Sequence, residues 1–382
     1  AEIVKDYKKK KYNVIVVSSA MSGETNDLIT KSKEICQNFP DTEYDVLVSS
    51  GEQVACSLIA GKLINDGFKS RSWLAWQIPI VTNGANKNSR IQQINKKKIT
   101  DYLKKGGIPI IAGYQGVNNN ERITTIGRGG SDASAIMIAK FFRAQRCIIY
   151  TDVEGIYTTD PNKLKTAKKI KVISYEEMLE MASLGAKVMQ PVSIQDARLN
   201  RIDIEVKSSF KKKPGTLITK KSNILNNRII TGISSTQNDA KVTLIGVKDR
   251  PGVAASIFKP LSEKMVNVDM VVQNISANGR ETDLTFTIKS EDLNKTKRII
   301  QENKSINFRK LKLNKGVSKI SVIGVGMITT PGVTFRMFQT LANKRINIQV
   351  ISTSEIIISV LIDKKDMKKA LLALHKEFKL NK

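Results

Sequence analysis

The sequence is poor in residues on which many enzymes depend. It has one histidine, His375, and three cysteines among 382 residues. A single histidine near the C-terminal end excludes Ser-His-Asp catalysis and most zinc sites. The cysteines Cys36, Cys56 and Cys147 lie far apart and form no C-x-x-C pair. This spacing favours reduced thiols, as in a cytoplasmic protein, over a disulfide framework.

Long apolar runs and aromatic residues are also scarce. No run approaches the about 20 apolar residues that span a bilayer, so we expect no membrane association. The formal net charge is +28, but the lysines are spread along the whole chain and aromatic residues make up only 5%. Nucleic-acid binding is typical of clustered charge with interleaved aromatics. The pattern therefore favours a solvated basic surface, which also attracts anionic substrates such as ATP.

Residues 1 to about 207 alternate between β-branched apolar runs and helical patterns. Strands are predicted at "YNVIVVSSA", "YDVLVSSGE", "IPIIAGYQG", "CIIYTDVEG" and "IDIEVKSS". Helices are predicted at "ETNDLITKSKEICQNF" and "QVACSLIAGKLINDG". This alternation predicts an α/β fold with a mainly parallel sheet covered by helices on both faces. Ligands bind at the carboxyl ends of such strands, where the glycine-rich and hydroxyl-rich loops of this sequence fall.

The last 150 or so residues contain a duplication. "DRPGVAASIF" and "TTPGVTFRMF" place Pro251-Gly252-Val253 and Pro331-Gly332-Val333 80 residues apart. Each copy predicts a strand, a Pro-Gly turn, an amphipathic helix and a second strand. The turn either holds a small anion at the helix N-terminus or is simply a good turn. We predict a first domain at 1–210, a linker at 211–230, and two related domains at 231–312 and 313–382.

Two loops after predicted strands offer groups to a charged ligand. In "SSAMSGETNDL", residues 18–28, hydroxyl groups stand beside the free N–H groups of a helix start, which suits a carboxylate or a phosphate. In "SSGEQVA", residues 49–55, Glu52 is predicted in the first turn of a helix, where it could pair with an ammonium group. Helix capping explains the first loop equally well and the second loop better, when each is taken alone.

The stretch "TTIGRGGSDASA", residues 124–135, combines charges with a glycine turn. Its glycines let the backbone approach a ligand closely, and Arg128 offers a planar fork for a carboxylate. Ser131 and Asp132 stand at the following helix start, within reach of an amine, a lysine or a metal-bridged phosphate. The alternative is a capped turn with an ion pair between Arg128 and Asp132.

A fourth loop, "YTDVEGIYTTDPNKL", follows another predicted strand. Thr151 and Asp152 end that strand, and Tyr157 could lie against an adenine ring. Lys187, on a later helical segment, could reach a phosphate as a point charge or could be an ordinary surface lysine.

These loops and the duplication, in this order, resemble the aspartate kinase (aspartokinase) family along nearly the whole chain. The motifs that carry the resemblance include "VSSAMSGETNDL", "SSGEQVA", "GYQGV", "TTIGRGGSDASA", "IYTDVEGIYTTDP", "EEMLEMASLGAKVMQ", "DRPGVAASIF", "VDMVVQNIS" and "ISTSEIIISVLI". The resemblance implies an amino-acid-kinase αβα sandwich followed by two ferredoxin-like ACT domains. It also implies phosphoryl transfer from MgATP to the β-carboxylate of L-aspartate, the first step of lysine, threonine and methionine biosynthesis.

The resemblance assigns roles to individual residues. The aspartate pocket would contain Thr25, Glu52, Arg128, Gly129, Gly130 and Ser131. The catalytic residues would be Arg128, Asp132 and Lys187. ATP would be met by Ser19, Thr151, Asp152, Tyr157, Asp160 and Lys187. Magnesium would arrive with ATP and take no ligand from a protein side chain.

The resemblance also implies feedback control by lysine, threonine or both, and a homo-oligomer formed through the ACT domains. The effector site would contain Asp249, Pro251, Gly252, Val253, Ala254, Gln273, Asn274, Ser352 and Thr353. Binding would shift the population between open and closed kinase lobes.

The sequence departs from the family pattern at two places. Asn162 stands where family members usually have arginine, which is expected to weaken a phosphate contact, although Lys163 is adjacent. The family begins with a Lys-Phe/Tyr-Gly-Gly loop whose lysine contacts the transferring phosphate, and the sequence as given, from Ala1, lacks it. Two interpretations stay open: an active kinase whose sequence here is incomplete, or a non-catalytic effector-binding protein of the same family.

Overall fold

The computed structural model describes residues 1–127, 129–184, 188–220, 228–275, 281–303 and 306–381. The described residues form two compact units. The first consists of residues 1–156, 171–182 and 188–220, and the second of residues 157–170, 183–184 and those from 228 onward. Residues 157–170 therefore belong to the second unit, although they lie in the chain between two parts of the first.

Eleven strands and seven helices precede the duplicated region in the described part of the chain. The helices are α1 (Glu2–Lys9), α2 (Glu24–Ile35), α3 (Asp41–Asn65), α4 (Lys97–Lys104), α5 (Gly130–Phe141), α6 (Tyr175–Ser183) and α7 (Pro191–Asn200). The strands are β1 (Val16–Ser18), β2 (Ser70–Trp73), β3 (Ile80–Thr82), β4 (Ile91–Ile94), β5 (Ile108–Ala112), β6 (Gln115–Val117), β7 (Ile123–Thr125), β8 (Cys147–Thr151), β9 (Val172–Ser174), β10 (Ile204–Ser208) and β11 (Thr216–Thr219).

The strands of the first unit form three hydrogen-bonded sheets. Their orders are β1-β5-β2, β4-β3-β6-β7 and β8-β10-β11-β9. The first sheet is parallel throughout, and the pairs β3–β6, β8–β10 and β9–β11 are parallel as well. The predicted α/β class with parallel strands is confirmed. Strand β11 lies inside the segment predicted as a linker and pairs with β9 and β10.

One predicted strand is wrong: "YDVLVSSGE" lies inside the 25-residue helix α3. Its buried positions include Asp45, Val48, Ser49 and Glu52, at spacings of three and four residues, so one helical face is covered. The Ser49 hydroxyl donates to the Val46 carbonyl oxygen within the helix, over 3.0 Å. Tertiary burial thus overrides the strand preference of the β-branched residues and the turn preference of the serines.

The core of the first unit packs α3 and other helices against these sheets. Cys56 and Leu63 of α3 lie in one cluster with Ile108 and Ile110 of β5, and all four are fully buried. The three cysteines are free thiols, of which Cys56 and Cys147 are buried. None of the described helices combines the length and the apolarity needed to cross a bilayer.

The duplicated region has the same elements twice. The first copy consists of β12 (Gly232–Lys248), α8 (Val253–Glu263), β13 (Val268–Ile275), β14 (Glu281–Lys289) and α9 (Leu293–Glu302). The second consists of β15 (Lys310–Ile323), α10 (Val333–Asn343), β16 (Ile348–Thr353), β17 (Ile357–Asp363) and α11 (Met367–Glu377). Gly252 and Gly332 precede α8 and α10 with φ of +88° and +86°. The predicted repeat, with its Pro-Gly turns at the helix starts, is confirmed.

The two copies share one six-stranded sheet, β13-β14-β12-β15-β17-β16. The long strands β12 and β15 pair antiparallel at its centre, so the strand order of one half mirrors that of the other. Helix α8 buries Ile257 and Leu261 against Phe286 of its own half, and α10 buries Met337 and Leu341 at the equivalent positions. Each copy therefore covers its sheet face with the helix that the sequence pattern predicts.

Candidate active site

The carboxyl ends of β1 and β5 lie side by side in the first unit. Ser18 of β1 is in register with Ala112 of β5. The Gly113 N–H donates to the Ser18 carbonyl oxygen over 2.9 Å, so both loops leave the sheet at the same level. This is the place at which parallel sheets bind ligands. The loop after β1 begins with Ser19, which is exposed.

The glycine turn that precedes α5 reaches this loop. The Ser131 hydroxyl donates to the Ser19 hydroxyl oxygen over 3.2 Å, across 112 residues of sequence. Gly129 caps α5 with φ of +76°, and Gly130 is the first residue of the helix. The Ser193 hydroxyl holds the turn by donating to the Gly129 carbonyl oxygen over 3.2 Å. The first and third predicted loops are therefore brought together.

Glu52 reaches the same loop from the middle of α3. The expectation that it lies in the first turn of a helix is wrong, because the helix begins eleven residues earlier, at Asp41. Its side chain is buried, and Oε1 accepts a hydrogen bond from the Ala20 N–H over 3.1 Å. Oε2 is buried and has no hydrogen-bond partner among the described residues. Burial raises the pKa of Glu52 to about 7. A buried carboxylate with one unused oxygen suits a ligand cation.

Thr25 and Asp132 lie in the first turns of α2 and α5, and both are half-buried. Helix α2 follows Gly23, and no described side chain caps its N-terminus, so the capping explanation of the first loop is not observed. Burial raises the pKa of Asp132 to about 6. Asp132 is thus a carboxylate near neutral pH, at a helix N-terminus that favours negative charge.

Two of the residues predicted to meet ATP lie at the carboxyl end of β8. The Thr151 hydroxyl donates to the Asp152 side chain over 3.0 Å, and the Thr151 carbonyl oxygen accepts from the Ser209 N–H over 2.8 Å. Asp152 is exposed. The strand end therefore presents a hydroxyl and a carboxylate to solvent.

Two other predicted ATP residues, Tyr157 and Asp160, lie in the second unit. Asp160 accepts a hydrogen bond from the Asn162 N–H over 2.9 Å and forms a turn. The Lys163 ammonium donates to the Ser235 carbonyl oxygen over 2.7 Å. The sequence offered Lys163 as a neighbouring cation where Asn162 replaces the usual arginine. In the structure its ammonium group contacts Ser235.

Arg128 and Lys187, the two cations predicted at the site, lie outside the described residues. The suggested ion pair between Arg128 and Asp132 therefore also lies outside the part of the chain that the structure describes. No three His, Cys, Asp or Glu side chains of the described chain lie close enough together to hold a metal ion.

Sequence reasoning missed two residues that the structure places beside these loops. Tyr114 follows β5 with φ of +61°, a rare backbone conformation, and its N–H donates to the Ser134 hydroxyl over 3.1 Å. Asp45 is fully buried on the face of α3 that carries Glu52. An acidic residue seven positions before Glu52, inside an apolar run, was the available signal for Asp45. The conformation of Tyr114 left no signal beyond the nearby Gly113 and Gly116.

The predicted effector residues lie at two kinds of position in the second unit. The effector residues between Asp249 and Ala254 surround the start of α8, where Asp249 and Pro251 are exposed and Val253 is buried. Gln273 and Asn274 lie near the end of edge strand β13, exposed. Ser352 and Thr353 end the opposite edge strand, β16, and are also exposed. Gln273 and Thr353 are 80 residues apart and so occupy equivalent positions of the two copies.

Protein-family models match both parts of the chain. The amino acid kinase family model matches residues 1–208, and the ACT domain model matches residues 242–303 and 320–378. An aspartate kinase of Pseudomonas putida is 42% identical over 383 residues, which cover 100% of this chain and 93% of the relative.

Two solved structures of E. coli aspartokinase III have the same fold. The complex with aspartate and ADP, in the R-state, has a TM-score of 0.73 and 25% identity, and covers 92% of this chain and 79% of that chain. The complex with lysine and aspartate, in the T-state, has a TM-score of 0.79 and 24% identity, and covers 95% and 92%. From the match along its whole length, this chain belongs to the aspartate kinase family and is a kinase.

Proposed function

We propose that the protein transfers the γ-phosphoryl group of MgATP to the β-carboxylate of L-aspartate, giving 4-phospho-L-aspartate. The observation that carries this proposal is the meeting of three distant segments, through Ser19, Ser131 and Glu52, at the carboxyl ends of β1 and β5. The E. coli relative was solved with aspartate and ADP, the substrate and product types that this reaction needs.

The aspartate substrate carries one ammonium group and two carboxylates. The site offers a partner of opposite charge for the ammonium group. We assign the ammonium to Glu52, whose buried Oε2 has no partner among the described residues. Thr25, Gly129, Gly130 and Ser131 line the same pocket, and Arg128 is assigned to a substrate carboxylate as a bidentate fork.

The β-carboxylate of aspartate is ionised at neutral pH and therefore attacks the phosphorus without a general base. Catalysis then depends on positioning and on charge neutralisation. We assign the ordering of the reacting groups to Asp132 and a phosphate contact to Lys187. Ser19, Thr151, Asp152, Tyr157 and Asp160 are assigned to ATP, and the magnesium ion enters as part of MgATP.

A hydroxylamine-trapping assay tests the reaction directly. Purified full-length gene product, MgATP and L-aspartate are expected to form aspartyl hydroxamate, with L-glutamate as the control substrate. ADP release without aspartyl hydroxamate, or no turnover at all, would contradict the proposal. The second result would favour a non-catalytic effector-binding protein.

The duplicated ACT region supports a regulatory proposal. Lysine, threonine or both are proposed to bind at the start of α8 and the ends of β13 and β16, and to inhibit the kinase. We place the kinase domain at 1–210, a linker at 211–230 and the ACT domains at 231–312 and 313–382, in a cytoplasmic homo-oligomer. Adding lysine and threonine separately and together to the trapping assay identifies the effector, and sedimentation measures the oligomeric state.

A further inference from the structure

Asp45 is a fully buried carboxylate that the proposed reaction has not used. It lies on α3, seven residues before Glu52, so two helical turns separate the two acids on one buried face. Its oxygens accept three hydrogen bonds. The Lys87 N–H lies 3.1 Å from Oδ1 and 3.2 Å from Oδ2, and the Thr125 hydroxyl donates to Oδ1 over 2.5 Å.

One donor comes from the strand end that leads into the glycine turn, and the other comes from a segment that lies beside that turn. Thr125 is the last residue of β7, and Gly127 follows two residues later. The Ser89 N–H donates to the Thr125 carbonyl oxygen over 2.9 Å, which fixes the segment 85–89 beside the strand end. A side chain on Gly127 would overlap the Asn88 amide oxygen, so the same segment also lies against the turn itself.

Burying the Asp45 carboxylate between these segments costs desolvation free energy. Burial raises its pKa, and no lysine or arginine of the described chain forms an ion pair with it. The Lys87 ammonium is instead paired with Asp41 and lies 4.6 Å from the centre of the Tyr44 ring. The Thr125 hydroxyl and the two contacts from the Lys87 amide therefore have to stabilise the carboxylate.

The two buried acids of helix α3 thus have different tasks. Glu52 contacts the loop after β1, through the Ala20 N–H, and Asp45 contacts the strand end before the glycine turn. We infer that Asp45 is a positioning residue that fixes the glycine turn relative to Glu52 and thereby sets the affinity for the aspartate substrate. The inference rests on the proposed function, because the glycine turn and Glu52 form the aspartate pocket there.

Kinetics of three single variants and one double variant test the inference. Asp45→Asn and Thr125→Val each remove part of the contact, whereas Thr125→Ser keeps the hydroxyl. We expect Asp45→Asn and Thr125→Val to raise the KM for aspartate about tenfold, as loss of a charged hydrogen bond does, with the KM for ATP unchanged. Thr125→Ser is expected to keep the KM for aspartate near that of the wild type. The double variant should be no worse than the worse single one.

Asp203→Asn is the matched control. Asp203 also accepts a threonine hydroxyl, from Thr219 over 2.6 Å, in the first unit. It precedes β10, and so lies at the opposite end of that strand from the carboxyl ends that carry the site. Its variant should keep the aspartate KM. Hydrogen–deuterium exchange of peptides covering 85–89 and 123–127 should quicken in Asp45→Asn and not in Asp203→Asn.

The outcomes separate the two claims. Suppose that the wild type is active. If Asp45→Asn leaves the KM for aspartate unchanged, or raises the KM values for aspartate and ATP together, this inference is overturned and the proposed function stands. A wild type that neither turns over nor binds aspartate removes the proposed function and this inference with it.

Discussion

Gly51 of α3 and Ala20 of the loop after β1 are in contact across the candidate site. A Cβ atom added to Gly51 would lie 2.9 Å from the Ala20 Cβ and 3.3 Å from the Glu24 Cγ. A real Cβ atom essentially never lies 2.9 Å from another carbon, and we infer that the glycine at 51 lets Glu52 reach the Ala20 N–H. The contact explains a glycine in the middle of a helix, where it costs about 1 kcal/mol relative to alanine.

Replacing Gly51 by alanine is expected to push α3 and the loop after β1 apart. We expect the free energy of unfolding to fall by about 1 to 3 kcal/mol, as in overpacked cores, and the KM for aspartate to rise several-fold. Gly61→Ala on the same helix is the control, because an added Cβ there meets nothing within 4 Å. It should stabilise the protein by up to about 1 kcal/mol and leave the KM unchanged. Equal effects of the two substitutions would refute the packing argument.

The Ser19–Ser131 hydrogen bond should be visible in a double-mutant cycle. Because the two hydroxyls contact each other, Ser19→Ala and Ser131→Ala should act on kcat/KM for aspartate in a non-additive way, with a coupling of about 0.5 to 1 kcal/mol. Ser321 and Ser359, whose hydroxyl oxygens lie 2.7 Å apart in the second unit, provide the control cycle. Their substitutions should couple in unfolding and not in kcat/KM. Additive effects of Ser19→Ala and Ser131→Ala would show that the two loops do not act together.

Local signals predicted much of the fold. The turns at Gly252 and Gly332 were predictable because Pro-Gly is a local turn signal and the whole pattern repeats after 80 residues. The structure gives both glycines positive φ at the helix starts. The position of Glu52 within α3 was not, because "YDVLVSSGE" has strand-like side chains and turn-like serines that only tertiary burial makes helical. The assignment of residues 157–170 to the second unit also has no local signal, because it depends on contacts far along the chain.

The pH dependence of aspartate use should report Glu52. The pKa of Glu52 is raised to about 7, so the free enzyme loses the carboxylate, and with it the partner for the substrate ammonium, as the pH falls through 7. We expect kcat/KM for aspartate to fall about tenfold per pH unit on the acid side. In Glu52→Gln the value should be lower at pH 8. Its acid limb should move to about 6, where Asp132 titrates. An unchanged limb in Glu52→Gln would rule out this assignment.

His375 should make the second unit sensitive to acid. It is buried on α11, its Nε2 lies 2.9 Å from the Thr158 hydroxyl oxygen, and burial lowers its pKa below the ordinary value of 6.5. The folded state therefore holds neutral histidine. The stability that this neutral form contributes is full above pH 6.5 and is lost as the pH falls through the lowered folded pKa. Thermal unfolding followed by circular dichroism from pH 7.5 to 5 should show a steeper fall in Tm for the wild type than for His375→Gln. Thr158→Val, which removes the hydroxyl and leaves the histidine buried, should keep the steep fall in Tm. Parallel pH profiles of Tm for the wild type and His375→Gln would exclude the histidine as the cause.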